Sequence, residues 1–327
     1  KMEVYIGDTW MEVAVSSPNL GDSSSPAGTR GLFAGKFDDS NNEPTIDYIT
    51  ISTTGNAVDY GDLINSVQLY GGMCSSHRRW IYFGGAPGNP TNQMQYGDIS
   101  KTGNGIDFGN LTESTHYNPS GVGNRTRGVR MGGSVDPSGG AQNTMDFWTY
   151  ESLGNAVDFG DLVAAKRFAM SANSPTRGMI SGGTFTNPTV GDNIIQFITI
   201  ASTGNAQTFG DISASNTHSG GNGACSNSTR ALFGGGGPSY QTTVSTVQMA
   251  SLGNSLDFGD LTLARSYPGS TASAIRAVWG GGYTGSNNYV NTIDFMNIAT
   301  GGTSADFGDR TVAGSYVSAC SNGHGGL

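Results

Sequence analysis

Cysteine, charge and long apolar runs are scarce in this sequence, and each shortage excludes a class of protein. Three cysteines in 327 residues, an odd number, argue against a disulfide framework. A charged fraction of 13% beside 52 glycines excludes an ordinary helical protein. No apolar segment is long enough to cross a bilayer, so we predict no membrane insertion. The formal charge of −9, from 16 basic and 25 acidic residues, disfavours a nucleic-acid partner.

A nine-residue phrase of the form GNxxDFGDL recurs along the whole chain. Its six copies are about 49 residues apart, which indicates a repeat architecture. They occupy 55–63 (GNAVDYGDL), 103–111 (GNGIDFGNL), 154–162 (GNAVDFGDL), 204–212 (GNAQTFGDI), 253–261 (GNSLDFGDL) and 302–310 (GTSADFGDR).

A second phrase keeps a fixed place between copies of the first. In it an arginine precedes a short apolar run that ends in glycine, as in RALFGGGG at 230–237. Insertions fall between these anchors, as expected for loops between fixed strands. The arginines are Arg30, Arg79, Arg127, Arg177, Arg230 and Arg276.

Each repeat predicts four short strands. The arginine-led strand ends at a double glycine, and after a polar loop comes an apolar strand such as TIDYITI at 45–51. The DFGDL strand and a strand of small residues complete the unit. This layout resembles a kelch-type β-propeller blade, so we predict an all-β propeller over 23–327 with six blades, and seven as the alternative. We expect the double glycines to allow close backbone approach near the crowded axis.

Residues 1–22 lie outside the repeat. MEVYI and WMEVAV flank Gly7-Asp8, a strong signal for a two-residue hairpin turn. The pattern resembles short hairpins of phage tail and fibre proteins that join a shaft to a distal domain; simple pairing with a sheet edge is the alternative. Gly326-Leu327 begins a further repeat, so we expect these residues to start a strand. Pairing of that strand with segment 1–22 would form a hybrid seventh blade. We expect either trimmed termini or a domain of a longer protein.

The repeated polar residues are interpreted as structural. The aspartates are expected to hydrogen-bond their own turns, since Asn110 replaces one of them and no second carboxylate is near enough for a calcium loop. The arginines are expected to pair with an aspartate of the neighbouring blade; an anion-binding circle at a channel mouth is the alternative. The aspartates are Asp62, Asp161, Asp211, Asp260 and Asp309.

Catalytic and metal-binding patterns are missing from the sequence. The four histidines form no HxxH pattern and lie near no nucleophile motif, so we predict no zinc site, no triad and no cofactor. The three cysteines, Cys74, Cys225 and Cys320, occupy equivalent repeat positions and are too far apart for disulfides, so we expect buried free thiols.

The loops after the double glycines are the candidate binding surface. They cover 36–44, 86–92, 134–143, 184–193, 236–244 and 283–291. Their Asn, Ser, Thr and aromatic residues suit a shallow surface that stacks on sugars and hydrogen-bonds hydroxyls, although ordinary solvated loops share this composition. The candidate ligand-binding residues are Phe37, Asp38, Asn187, Tyr240, Tyr283, Asn287 and Tyr289.

Over residues 28–323 the alternation of TRGLF and TGNAxDFGDL resembles the repeats of virion structural and tail-fibre proteins of marine phages, especially cyanophages. The resemblance implies a non-enzymatic virion or extracellular protein that contacts other virion proteins and host surface polysaccharide, and it is compatible with a homo-oligomer. It departs from ordinary kelch repeats, which carry Trp where this chain has Phe-Gly-Asp. A bacterial extracellular lectin or adhesin is the alternative, and a propeller enzyme the third.

Overall fold

The structure is a β-propeller of six four-stranded antiparallel blades, as predicted. It is a computed structural model. It describes residues 2–6, 9–13, 29–38, 43–64, 70–85, 90–135, 140–183, 191–213, 223–236 and 240–327. Among these residues no helix occurs that could cross a membrane.

The blades are numbered along the chain, and their strands are given from the axis outwards. Blade 1 contains β27 (Ser318–Ser321), β3 (Arg30–Lys36), β4 (Glu43–Thr50) and β5 (Val58–Asp62); blade 2, β6 (Gly72–Ser75), β7 (Arg79–Phe83), β8 (Thr91–Asp98) and β9 (Ile106–Thr115); blade 3, β10 (Ser120–Gly123), β11 (Arg127–Met131), β12 (Gln142–Thr149) and β13 (Val157–Lys166). Blade 4 contains β14 (Met170–Asn173), β15 (Arg177–Ser181), β16 (Ile194–Thr199) and β17 (Gln207–Asp211); blade 5, β18 (Ala224–Ser226), β19 (Arg230–Gly234), β20 (Gln241–Gln248) and β21 (Leu256–Arg265), with β25 (Gly302–Thr303) added in parallel; blade 6, β22 (Gly269–Ala272), β23 (Arg276–Gly280), β24 (Thr292–Asn297) and β26 (Ala305–Asp309).

The boundary between blades falls one strand earlier than the repeat suggests. The small-residue strand at the end of each repeat is the innermost strand of the following blade, where its short side chains fit around the axis. Blade 1 therefore takes its inner strand from β27 at the other end of the chain, with Cys320 opposite Leu32. This pairing closes the circle at six blades.

The expectation that Gly326-Leu327 starts a new strand is wrong. Residues 322–327 form turns. The place that an arginine-led strand takes beside the inner strand β27 is already occupied by β3, so Gly326 and Leu327 cannot fill it. The strands β1 (Met2–Ile6) and β2 (Thr9–Val13) pair with each other as a separate two-stranded sheet; their role as a connector stays a prediction.

The hydrophobic core lies between the blades rather than in one central cluster. Six clusters of buried side chains each join two adjacent blades. The aromatic residue of the DFGDL phrase contributes to each of them; Phe159, for example, is 2% exposed and packs in the cluster between blades 3 and 4. A blade alone would leave both faces of its sheet exposed, so its stability depends on its two neighbours.

The GN half of the repeated phrase covers the outer edge of the preceding blade. The Gly103 N–H donates to the carbonyl of Tyr60 at 2.8 Å, and the Gly105 N–H donates to the carbonyl of Asp62 at 2.8 Å. A Cβ on Gly61 would lie 2.6 Å from the carbonyl oxygen of Gly103, which explains the glycine between the aromatic residue and the aspartate.

The double glycines adopt positive φ, but they do not approach the axis as we expected. A Cβ on Gly132 (φ 64°) would lie 2.4 Å from the carbonyl oxygen of Lys166, at the end of the outer strand of the same blade. The Gly133 N–H donates to that carbonyl at 2.8 Å. The glycines therefore let the second strand turn against the end of the fourth.

The repeated arginines connect neighbouring blades through a carbonyl, not through the aspartate that we predicted. Each guanidinium donates from Nη1 to the backbone oxygen that follows the third strand of the next blade, at 2.6–3.0 Å. Each also lies over an aromatic ring. The donor and acceptor pairs are Arg30–Ile99, Arg79–Tyr150, Arg127–Ile200, Arg177–Met249, Arg230–Ile298 and Arg276–Ile51.

The repeated aspartates also act differently from the prediction, because their recurring contact uses the backbone. The N–H of Asp161 donates to Oδ1 of Asn205 at 3.0 Å, and the equivalent bond joins Asn254 to Asp211 at 2.9 Å. Similar bonds hold Asp62 and Asp309. The Asp260 carboxylate accepts from Thr242 Oγ1 on the adjacent strand, at 2.8 Å.

A buried polar residue in the third strand of each blade is a feature that the sequence did not reveal. In five blades it accepts a hydrogen bond from the residue that directly follows the DFGDL phrase of the preceding blade. In blade 1, Asp47 accepts from Thr311 and is paired with Arg310 at 3.0 Å, and all of these charged groups are inaccessible to solvent. The five acceptors are Asp47, Gln95, Asp146, Gln196 and Asp294.

Replacement of Arg310 by Met tests this closing contact between blades 6 and 1. We expect Arg310→Met to lower the free energy of unfolding by about 3–5 kcal/mol, because Asp47 would be left as a buried, uncompensated charge. Arg78→Met is the control: its guanidinium is 61% exposed and lies 3.7 Å from Asp98, so we expect a loss of at most about 1 kcal/mol. Equal losses in urea denaturation would contradict this interpretation.

Candidate functional site

One face of the propeller carries the described residues of both the loops after the double glycines and the segments that precede the inner strands. The arginine-led strand is antiparallel to the inner strand, so its end lies beside the start of that strand, as Phe83 does beside Gly72. Both kinds of segment therefore surround the same mouth of the central channel. We call this side the aromatic face.

Seven aromatic rings form a continuous row on the aromatic face, which we call the aromatic arc. Successive ring centroids are 5.6, 5.0, 6.1, 5.4, 5.4 and 5.1 Å apart. All seven residues are half-buried, so part of each remains available to a ligand. In spatial order they are Tyr240, Tyr283, Tyr289, Phe37, Tyr70, Tyr117 and Phe168.

Two further tyrosines lie inside the arc and cross the channel mouth. The Tyr316 ring is 4.1 Å from Tyr267, 4.5 Å from Tyr70 and 6.1 Å from Phe168. These neighbours precede the inner strands of blades 6, 2 and 4, whereas Tyr316 precedes that of blade 1. Tyr316 therefore spans the mouth and contacts the arc at both Tyr70 and Phe168.

Backbone strain is concentrated on the aromatic face. Eight described non-glycine residues have positive φ, and all eight lie on this face. Five of them are aromatic, at a backbone conformation that costs about 1–3 kcal/mol for a bulky residue. They are Tyr70 (58°), Phe168 (55°), Tyr240 (50°), Tyr267 (60°) and Tyr316 (55°).

Four of these strained aromatics occupy one repeat position, four residues before Cys74 and its equivalents. Asn118 has the same place in blade 3, with φ 30°. Backbone hydrogen bonds between neighbouring blades hold the segments: Asn118 N–H donates to the Tyr70 carbonyl at 2.7 Å, and Tyr316 N–H to that of Tyr267 at 3.1 Å. A glycine would adopt this φ without strain, so the fold alone does not account for aromatic residues here.

The hydroxyls of Tyr316 and Tyr240 stay protonated near neutral pH. Burial, followed by the adjacent Tyr267 hydroxyl, raises the pKa of Tyr316 far above its ordinary value. Burial and Tyr283 also raise the pKa of Tyr240. Each of these hydroxyls can therefore donate and accept hydrogen bonds.

The charged groups beside the arc are engaged within the protein. Lys36 Nζ lies 3.0 Å from both Asp38 and Glu43. Burial alone would lower the pKa of Lys36, but its hydrogen bonds with these carboxylates outweigh burial and raise it. The Arg167 guanidinium lies 6.0 Å from the Tyr117 ring and 5.7 Å from the Phe168 ring.

Four of the candidate ligand-binding residues come together in the arc: Phe37, Tyr240, Tyr283 and Tyr289. Asp38 is engaged with Lys36, and the exposed Asn287 donates its backbone N–H to Tyr283 Oη at 3.1 Å. Asn187 lies outside the described residues. Sequence reasoning missed Tyr70, Tyr117, Phe168, Tyr267 and Tyr316; an aromatic residue that recurs just before the small-residue strand was the available signal.

The central channel is a separate, small cavity of about 40 Å³, space for a few waters. Its lining includes the three cysteines, which are free and buried as predicted. Burial raises the pKa of Cys74 to about 12 and those of the other two thiols further. These thiols are therefore unreactive near neutral pH. Among the described residues no group of three or more His, Cys, Asp or Glu could hold a metal ion.

His324 closes the end of the channel opposite the aromatic face. Its Nδ1 accepts from Asn173 Nδ2 at 3.0 Å and from the Gly326 N–H at 3.1 Å, which leaves Nε2 to donate to the Ser75 carbonyl at 2.7 Å. The imidazole thereby joins blades 2 and 4. Burial lowers its pKa from 6.5 to about 4.

No protein-family model matches the chain, and a search of curated proteins gives no match. The candidate site is therefore defined by its own geometry.

The His324 contacts predict a pH-dependent stability. The pKa is lower in the folded than in the unfolded state, so His324 contributes stability above pH 6.5 that is lost as the pH falls towards 4. We expect wild type to lose about 3 kcal/mol more than His324→Gln between pH 7 and pH 4, measured by urea denaturation. The exposed His77 provides the control, and His77→Gln should keep the wild-type slope. Parallel pH profiles for wild type and His324→Gln would refute the assignment.

Proposed function

We propose that the protein is a non-enzymatic attachment component of a phage particle, of the tail-fibre type, and that its aromatic arc binds glycans on the host cell. The single observation that carries this proposal is the strained, continuous and half-buried row of aromatic rings at the channel mouth. The kelch-like repeat and the resemblance to virion proteins of marine phages support the same assignment.

The chemistry of the arc suits sugars. One face of a pyranose consists of C–H groups that pack against an aromatic ring, while its hydroxyls need hydrogen-bond partners. Tyrosine supplies an apolar surface and a polar hydroxyl at low cost in conformational entropy. Five of the seven rings in the arc are tyrosines.

The distribution of the repeated side-chain contacts is consistent with an attachment role. The arginine-to-carbonyl bonds that join each blade to the next lie at the opposite face, so the aromatic side chains of the arc can change with the receptor while the propeller is preserved. We further propose that the hairpin of β1 and β2, which forms its own sheet, contacts other virion proteins.

Binding of labelled protein to intact marine picocyanobacteria, before and after periodate treatment, tests the proposal. We expect saturable binding that is lost when periodate cleaves the vicinal diols of surface glycans. Absence of binding across a broad panel of strains would contradict an attachment role and favour an architectural one.

Replacement of Tyr240 by Gly separates function from stability. Tyr240 has φ 50° and lies at one end of the arc, so glycine relieves backbone strain while the stacking surface is lost. We expect an unfolding free energy within about 1 kcal/mol of wild type and an affinity for cells that is lower by about tenfold.

The control for this variant is Leu252→Ala, which removes a side chain that is 61% exposed and outside the aromatic arc. Its affinity for cells should equal that of wild type. Equal losses in both variants would indicate nonspecific apolar adhesion instead of recognition by the arc.

A further inference from the structure

We infer that the aromatic arc binds an uncharged, linear polysaccharide along its length, over several consecutive sugar units, rather than capturing a chain end. This inference rests on the proposed function and specifies its ligand. It follows from the continuity of the arc, the shape of the face and the charges beside it.

The continuity of the arc favours an extended ligand. Six successive centroid distances fall between 5.0 and 6.1 Å, so no gap separates one stacking position from the next. The row also passes through segments of all six blades, from Tyr240 in blade 5 to Phe168 before blade 4. A receptor for one terminal sugar would need one or two rings, not seven.

The shape of the face opposes capture of a chain end. Recognition of a terminal sugar requires a recess that surrounds it. Tyr316 spans the channel mouth and contacts Tyr70, Tyr267 and Phe168, so the axis offers no such recess there. The half-buried rings form instead a strip on which a chain can continue in both directions.

The charges beside the arc favour an uncharged polymer. Lys36 is paired with Asp38 and Glu43, and Arg167 lies against two rings of the arc. The chain as a whole carries −9, which opposes a polyanion. Stacked aromatic rings also bind single-stranded nucleic acid, but such sites combine stacking with a positively charged groove. A neutral glycan is therefore the ligand that the arc fits.

Affinity as a function of chain length tests the inference. The probe is polysaccharide released from the bound cells by mild acid, separated into neutral fractions of one to ten sugar units, with titration calorimetry as the readout. We expect affinity to rise roughly three- to tenfold per added unit, and to level off at about six or seven units when the arc is filled. Affinity that is independent of length would overturn the inference.

Variants at one end of the arc give a second, independent readout. Tyr240→Gly should reduce the affinity for the longest fractions and leave that for the shortest fractions unchanged, because a short chain can bind elsewhere on the arc. Leu252→Ala should match wild type at every length. A Tyr240→Gly effect of equal size at all lengths would indicate a single local subsite and refute binding along the arc.

Two competing probes distinguish failure of this inference from failure of the proposed function. Tighter binding of oligothymidylate or of an acidic polysaccharide fraction than of the neutral fractions would overturn the choice of an uncharged ligand, while a glycan bound through its end would leave attachment intact. If neither cells nor any released fraction bind, the proposed function itself fails.

Discussion

Each blade of this propeller depends on the next blade to satisfy its outer edge. The carbonyls of Tyr60 and Asp62 accept hydrogen bonds from the GN segment of blade 2, and only glycine at position 61 allows that segment to approach so closely. A blade without its neighbour would expose these backbone groups and half of each hydrophobic cluster. The circle must therefore close, and pairing of Ser318–Ser321 with Arg30–Lys36 closes it with strands from opposite ends of the chain.

Buried polar groups make this stacking specific. A hydrophobic interface could slide, but a carboxylate such as Asp47 or Asp294 is satisfied only when the neighbouring blade presents its arginine and threonine at one position. The arginine-to-carbonyl bonds impose the same condition at the face opposite the arc. Since an unpaired buried charge is far more costly than a small gap in packing, these contacts fix how each blade sits on the next.

The sequence predicts the fold well, because few architectures are compatible with a repeat of about 49 residues that contains four short strands. It does not predict which strands share a blade, because a repeat of four strands can be divided into blades at any of its four connections, and each division has the same period. The partner of the arginines was also predicted wrongly, because a backbone carbonyl leaves no signature in the sequence. The buried acceptors escaped notice because Asp47, Gln95 and Asp146 share a role without sharing a residue type. For the site, composition indicated Phe37, Tyr240, Tyr283 and Tyr289, but the other rings become neighbours only when the circle closes and brings Tyr316 against Phe168.

The two faces of the propeller differ: repeated contacts between blades lie at the face opposite the arc, and backbone strain is concentrated on the aromatic face. At the face opposite the arc, similar arginine-to-carbonyl bonds recur in all six blades, so the positions of the inner strands are set many times over. The segments on the aromatic face precede the inner strands, so the positions of those strands also fix the segments. Backbone hydrogen bonds, such as that from the Asn118 N–H to the Tyr70 carbonyl, hold the segments in a strained conformation that an isolated loop would not keep. Strain of this kind persists only where the surroundings enforce it. The repeated contacts at the opposite face therefore stabilise the strained segments of the aromatic face. Aromatic side chains can then be retained as a binding surface at positions where glycine would adopt the backbone conformation without strain.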